Sequence, residues 1–366
     1  MSGSGRVGVG IIGAGVISEQ YLTWMTTFPD LDVRFVADLA LDRARAQAEK
    51  WGVAGFGTVE QLLADDAIEI VVNLTVPAAH VPVGLQILDA GKHVWAEKPF
   101  ALDREGGRRL LDRAAELELR IASAPDTVLG RGIQTALRAI DAGRIGRPVS
   151  ARAVFRSPGH ETWHPNPDFY YQPGGGPLLD MGPYFLTALV QALGAVTRVQ
   201  ATATRARAER VIGSGPRQGT VLTVEVDTQI SGLLEFAGGA TATVEFSFDS
   251  ALPYAPVLEV LGDAGAMLLP DPNGFDGDTE VFPWGGEPVT LPVAANPGRG
   301  TGVLELARAI RADRPERASG ALAFHVQDVM LSLGEAAASR TAVEVQSTIE
   351  QAPLMSEDWD PTAATL

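Results

Sequence analysis

At 366 residues the chain is longer than one compact core usually supports, so two domains are expected. Its formal net charge of −16 repels phosphate backbones and anionic headgroups, which argues against nucleic-acid and membrane-surface binding. With no cysteine there are no disulfides or thiolate sites, and no run approaches the roughly 20 apolar residues that span a bilayer. The opening MSGSGRVGVGIIGAG lacks the basic segment and h-region of a secretory leader, so a cytoplasmic protein is expected.

In chain order, RVGVGIIG reads as a strand, Ser18 to Thr27 as a helix, VRFVAD as a strand and Asp42 to Trp51 as a helix. IEIVVNLT follows as the fourth strand, VPVGLQILDAG as a helix closed by Gly91, HVWAEKP as the fifth strand, Asp103 to Leu119 as a helix and LRIASA as the sixth strand. Short apolar strands separated by helices indicate a parallel sheet covered on both faces. Beyond residue 124 the rhythm changes. A helix from Gly132 to Ala142, the strand VSARAVFRS and a loop rich in Pro, His and aromatics precede a helix from Leu178 to Leu193. The alternating runs RVQATATRA, VLTVEVDTQISGLLEF and ATATVEFSFDS then read as antiparallel strands of one open sheet, with a turn at Gly238 and Gly239. Gly302 to Ala312 and Ala321 to Ala338 read as helices, and the residues after Ser356 as a loose tail. The expectation is an α/β protein: a Rossmann dinucleotide-binding domain over residues 1–123, then an α+β domain over 124–366 with a large open, mainly antiparallel sheet, for substrate binding and oligomerisation.

Gly13-Ala14-Gly15-Val16-Ile17-Ser18 stands between a strand and a helix, where a dinucleotide fingerprint has to stand. Gly13 permits the tight turn and Gly15 the approach of a pyrophosphate, while Val16 and Ile17 open a helix whose free N–H groups face it. Ser18 replaces the third glycine. Asp38 ends the second strand, where a carboxylate accepts from an adenosine ribose and disfavours a 2′-phosphate; NAD is therefore expected over NADP, with Arg43 the only nearby cation. Capping of the next helix is the alternative role for Asp38. Asn73, Thr75, Pro77 and His80 follow the fourth strand and Glu97 and Lys98 the fifth, at the edge where such sheets bind ligands; all six join the expected cofactor set. A lone histidine such as His80 is more often a packing residue, and Lys98 could equally be a surface lysine paired with Glu97.

GAGVIS, NLTVPAAH, GKHVWAEKP and GGGPLLDMGPY together resemble the glucose-fructose oxidoreductase, inositol dehydrogenase and MocA family over nearly the whole chain. The resemblance implies a bound nicotinamide, a homodimer or homotetramer formed through sheet faces, and a cis Lys98–Pro99 peptide. It implies that Asp180 positions substrate and that Tyr184 is the acid/base, a position held by His in many members. Lys98, Asp180 and Tyr184 are then the catalytic residues and also touch substrate. Asp180 and Tyr184 are four apart on a helix and share a face; Gly182 and Pro183 fit only its first turn.

Many relatives carry an Asn and Arg pair after the sixth strand, whereas this chain has Ser123-Ala124-Pro125-Asp126-Thr127, so Asp126 enters an altered substrate frame. In the aromatic loop, Trp163, His164 and Tyr171 are expected to stack on a sugar or bind its hydroxyls. His160 and His164 match no metal-site spacing, and no metal is expected. The resulting expectation is an NAD-dependent dehydrogenase acting on a secondary hydroxyl of a sugar, glycoside or cyclitol. The alternatives are a redox-neutral glycoside-processing enzyme that retains NAD and a non-catalytic NAD-binding regulator.

Overall fold

The computed structural model describes residues 5–252, 254–294 and 297–366, which form two compact units. The first comprises Met1–Arg131, Ala295–Phe324 and Ala352–Leu366, the second Gly132–Ala294 and His325–Gln351.

In the first unit β1 (Val7–Ile12), α1 (Val16–Met25), β2 (Leu31–Ala37), α2 (Leu41–Trp51), β3 (Gly55–Gly57), α3 (Val59–Leu63), β4 (Ile70–Asn73), α4 (His80–Asp89), β5 (His93–Ala96), α5 (Arg104–Glu116) and β6 (Ile121–Ser123) alternate. The strands lie in the order β3-β2-β1-β4-β5-β6, all parallel. β1, β4 and β6 are buried along their whole length, as expected of apolar strands covered on both faces. Local chemistry sets the helix ends. Thr58 and Gln61 form a capping box on α3, Asp103 accepts from Gly106 N at 2.7 Å to start α5, and Gly52 ends α2 in the left-handed conformation. β3, only three residues of Gly-Phe-Gly, is the third strand that the apolar pattern did not reveal.

α6 (Arg131–Asp141) leads into the second unit: β7 (Pro148–Arg156), α7 (Pro177–Leu193), β8 (Val196–Thr204), β9 (Glu209–Val211), β10 (Val221–Thr223), β11 (Gln229–Phe236), β12 (Thr241–Ser247), β13 (Val257–Gly262), β14 (Gly265–Leu268), β15 (Thr279–Pro283) and β16 (Val289–Leu291). The main sheet runs β16-β15-β14-β13-β7-β12-β11-β8, antiparallel except for the β7–β12 pair. α7 lies against β7, β11 and β12. The run VLTVEVDTQISGLLEF is not one strand: its first residues pair with β9 in a separate two-stranded ribbon, and only β11 joins the main sheet.

After β16 the chain returns to the first unit as α8 (Thr301–Arg311), passes along α9 (Gly320–Ser339) and adds β17 (Val343–Glu344) to the edge of the main sheet beside β8. The compact units therefore divide the chain differently from the expected 1–123 and 124–366. The reason is burial: α8 is covered from Thr301 to Ala309 and lies against α1, β4 and β6, and a Cβ on Gly302 would meet the Trp95 ring at 2.0 Å. The tail after Ser356 is also tied down rather than loose. Arg308 donates to Asp360 O at 2.9 Å and Ala363 O at 2.8 Å and pairs with buried Asp30, which accepts from Thr365 N at 2.8 Å.

Candidate active site

At the carboxyl edge of the parallel sheet the fingerprint has the expected geometry. Gly13 has φ +107°, donates to Ala37 O at 2.8 Å, and would place a Cβ 2.6 Å from Leu74 O. A Cβ on Gly15, by contrast, would meet nothing within 4 Å, so this glycine faces open space beside the N-terminus of α1. Ser18 is fully buried and its hydroxyl donates to Gly15 O at 2.6 Å, which meets the packing demand of the third fingerprint position.

The Asp38 carboxylate accepts from Ala14 N and Ala40 N, each at 2.8 Å, and from Arg43 at 3.0 Å. It thus ties the fingerprint to the end of β2 and caps the start of the next turn together. Leu39, which the sequence reading passed over, is 99% exposed, and Val16 and Val76 are also well exposed. Thr75 and Pro77 are half-buried on the same edge.

Three other cofactor candidates turn inward. Asn73 is fully buried, donating to His80 O at 3.1 Å and accepting from the Thr75 hydroxyl at 2.6 Å. His80, also buried, bridges two backbone carbonyls, Pro99 O at 2.7 Å and Thr75 O at 2.9 Å. Buried Glu97 accepts from the Tyr21 hydroxyl at 2.8 Å and from Lys98 N at 2.9 Å, and Trp95 donates to Tyr21 at 3.0 Å. Burial, reinforced by the charges of Glu97 and Asp126, holds the Tyr21 phenol well above its ordinary range. These side chains bond to groups inside the fold and shape the loops after β4 and β5. Lys98, half-buried, follows them and precedes a cis Pro99.

Asp126 also departs from its expected place in a substrate frame. It is fully buried and accepts from Gly300 N at 2.8 Å and Gly302 N at 3.2 Å, so it anchors the start of α8. Burial raises its pKa from 3.8 to about 6, opposed by Arg299.

In the second unit α7 begins at Pro177, so Pro183 is the seventh helical residue and lies beyond the first turn expected for it. Asp180 lies in the first turn, its N donating to Gly176 O at 3.1 Å, and Tyr184 follows one turn later and is buried. His160, absent from the candidate set, places Nε2 2.7 Å from Asp180 Oδ2. Nothing in the residue spacing signals that pairing, since the two come from different elements. Around them stands an aromatic group: Trp163, 59% exposed, and Phe169, 50% exposed, flank the half-buried His164, whose ring is 5.4 and 5.5 Å from theirs. Burial and the neighbouring His160 lower the His164 pKa. Tyr171 is not part of this surface. It is fully buried, donates to Glu161 and lies beneath the Arg210 guanidinium at 5.1 Å, because the loop closes over it. Among the described residues no group of three or more His, Asp or Glu is placed to hold a metal ion, and no helix is long and apolar enough to cross a membrane.

A parallel doubly wound sheet with a glycine fingerprint, joined to a unit built on a large mixed sheet, defines the class as a dinucleotide-binding oxidoreductase. Residues 7–124 match the oxidoreductase family with an NAD-binding Rossmann fold, and residues 133–268 match the GFO/IDH/MocA C-terminal domain. The chain is 30% identical over 288 residues to D-glucoside 3-dehydrogenase of Escherichia coli strain K12, covering 75% of this chain and 80% of that one. It is 30% identical over 265 residues to an uncharacterized oxidoreductase of Rhizobium meliloti, covering 72% and 74%. An NAD binding oxidoreductase from Klebsiella pneumoniae superposes with a TM-score of 0.82 at 22% identity, covering 93% of this chain and 99% of that one. Levoglucosan dehydrogenase, solved with NADH and L-sorbose, gives 0.80 at 21%, covering 94% and 100%. The chain belongs to the GFO/IDH/MocA family of oxidoreductases.

Proposed function

We propose that this protein is an NAD-dependent dehydrogenase that moves hydride between the nicotinamide and a secondary hydroxyl of a sugar, glycoside or cyclitol. The observation that carries the reading is the Asp180 and Tyr184 pair on one face of α7, beside exposed aromatic rings, in a chain whose dinucleotide fingerprint has a buried serine at its third position. The residues fit the cofactor: Gly15 opens onto free space at a helix N-terminus, and Leu39 offers an apolar surface next to Asp38. Asp38 favours NAD, because a 2′-phosphate would meet its carboxylate while Arg43 is already engaged by it.

Bound NAD supplies the hydride acceptor or donor. The chain's own residues handle the rest. Tyr184 takes the hydroxyl proton in oxidation and returns it in reduction, and its burial keeps water from competing for it. Asp180 fixes the substrate hydroxyl as a hydrogen-bond acceptor, and the Lys98 ammonium donates to a substrate oxygen. Trp163 and Phe169 offer ring faces for the apolar side of a pyranose or inositol, and His164 adds a polar atom among them. Names of relatives support the substrate class: D-glucoside 3-dehydrogenase, and the myo-inositol 2-dehydrogenase of Thermotoga maritima at 24% identity over 262 residues. Self-association through the main sheet's outer face, where Leu233, Leu261 and Phe282 are exposed, completes the proposal, with light scattering as its check.

Absorbance at 340 nm with NAD or NADP, across free sugars, glycosides, lactones and inositols, tests the reading. NADH should accumulate with one group, and Tyr184→Phe and Lys98→Met should each lower kcat by about two orders of magnitude or more. Tyr184→Phe with wild-type turnover would overturn the mechanism. Substrate consumed without net NADH would replace the dehydrogenase by a redox-neutral enzyme, and NAD binding without any turnover by a regulator.

A further inference from the structure

The second unit contains a buried polar chain that the mechanism above does not use. Arg210, on β9, has a side chain 1% exposed. Its guanidinium donates to Glu161 at 2.6 Å, to Asp249, to Pro158 O at 3.0 Å and to Phe248 O at 2.9 Å. The second oxygen of Glu161 accepts from Tyr171, and Asp249 accepts from the Thr228 hydroxyl at 2.5 Å. The ribbon also holds the same loop through its backbone, Gly213 N donating to Glu161 O at 2.7 Å, and through Arg217 on Asp168 at 3.0 Å. A buried guanidinium that has lost water is costly unless all these acceptors stay in place, so the network specifies one conformation of the loop.

His160 is the residue next to Glu161. Its ring is enclosed by Tyr170 at 4.4 Å, Phe248 at 4.6 Å and Trp163 at 5.3 Å. A carboxylate only accepts, so the 2.7 Å contact with Asp180 puts the proton on Nε2. The other ring nitrogen, Nδ1, is buried without a hydrogen bond, which leaves the bond to Asp180 as the ring's one strong polar contact. Packing alone does not account for this: an aromatic cage would accept a phenyl ring as readily.

We propose that His160 is a positioning residue for Asp180. Arg210 and Glu161 fix the loop, and the imidazole Nε2–H then holds the Asp180 carboxylate in the orientation that meets the substrate hydroxyl. This inference rests on the reading of Asp180 as a substrate-binding carboxylate and gives the β9–β10 ribbon its role.

The test compares His160→Gln, which keeps a donor near the Nε2 position, with His160→Phe, which keeps the ring. His160→Phe should lower kcat/KM for the alcohol by about 10- to 150-fold, the range for a lost hydrogen bond to a charged group. His160→Gln should stay within roughly fivefold of wild type, and the NADH dissociation constant should hold in both. Phe at wild-type activity, or Gln failing as badly as Phe, overturns the proposal. Nitrogen-15 spectra of the imidazole give an answer independent of turnover and, for the wild-type ring, of how the variants fold. The wild-type ring should show Nε2 protonated and lose that preference in Asp180→Ala, and an Nδ1-protonated ring refutes the bond. Asp180→Asn at wild-type turnover marks failure of the underlying site assignment, whereas an impaired Asp180→Asn beside an unimpaired His160→Phe marks failure of this inference alone.

Discussion

Asp126 makes the sharpest prediction about pH. Burial lifts its pKa from 3.8 to about 6, while Arg299 and the N–H groups of Gly302 and Gly300 pull the other way and Glu97 adds to the rise. The folded protein therefore binds this proton more tightly than the unfolded chain. The stability it contributes is fully present below pH 3.8 and is lost as pH rises through 6. A gap of about two units corresponds to roughly 3 kcal/mol in full, of which about 1.4 kcal/mol is lost between pH 5 and pH 8. Asp126→Asn keeps an acceptor oxygen for Gly300 N and Gly302 N but does not titrate. Unfolding in urea, followed by tryptophan fluorescence at each pH, gives the variant's stability relative to wild type, and in that difference the titrating groups not coupled to Asp126 cancel. The variant should gain about 1.4 kcal/mol on wild type between pH 5 and pH 8, whatever its offset at pH 5. A difference that stays flat with pH, or moves the other way, would refute the account of Asp126 as a buried carboxyl held partly protonated.

Gly13→Ala forces a Cβ to 2.6 Å from Leu74 O at φ +107°, and should cost about 2 kcal/mol or more while abolishing NADH binding in a fluorescence titration. His80→Leu removes the ring nitrogens that contact Pro99 O and Thr75 O, of which a neutral imidazole donates to one; at ~1–3 kcal/mol for that buried orphan, thermal unfolding should fall by a few degrees. Trp163→Ala, at an exposed ring, should raise the substrate KM several-fold or more with the melting temperature unchanged, and an unchanged KM would remove the ring from the binding surface.

The first unit was legible in the sequence where local chemistry decides. Apolar runs gave five of its six strands, and the glycine turn gave the boundary between β1 and α1. β3 escaped because three residues of Gly-Phe-Gly carry no period, and the long run after Val221 looked continuous because alternation does not show where a strand leaves its sheet. The return of α8 was not legible, since the Trp95 ring that receives Gly302 is some 200 residues earlier in the chain. The candidate site divides for a similar reason. Position at a strand end told which residues stand near the ligand edge, but not which way each side chain turns. Asn73, His80, Glu97 and Asp126 turn inward to backbone groups, and Tyr171 turns beneath its own loop. His160 and Arg210 were missed because their partners come from other elements.

The inward turn of those polar residues follows from what the edge must present. Backbone groups at a strand-to-helix turn lose water when the sheet is covered, and buried donors or acceptors left unpaired cost ~1–3 kcal/mol each. Asn73, His80 and Glu97 meet that demand with side chains, which fixes the loops after β4 and β5. Apolar residues occupy the outward positions instead: Val16, Leu39 and Val76 stand exposed after β1, β2 and β4 at the same edge. Exposed aliphatic side chains beside a helix N-terminus disfavour water and favour a flat ring with an anionic linker, the two features a dinucleotide combines. The distribution of polar groups inside and apolar groups outside therefore points to the cofactor edge independently of the glycine fingerprint.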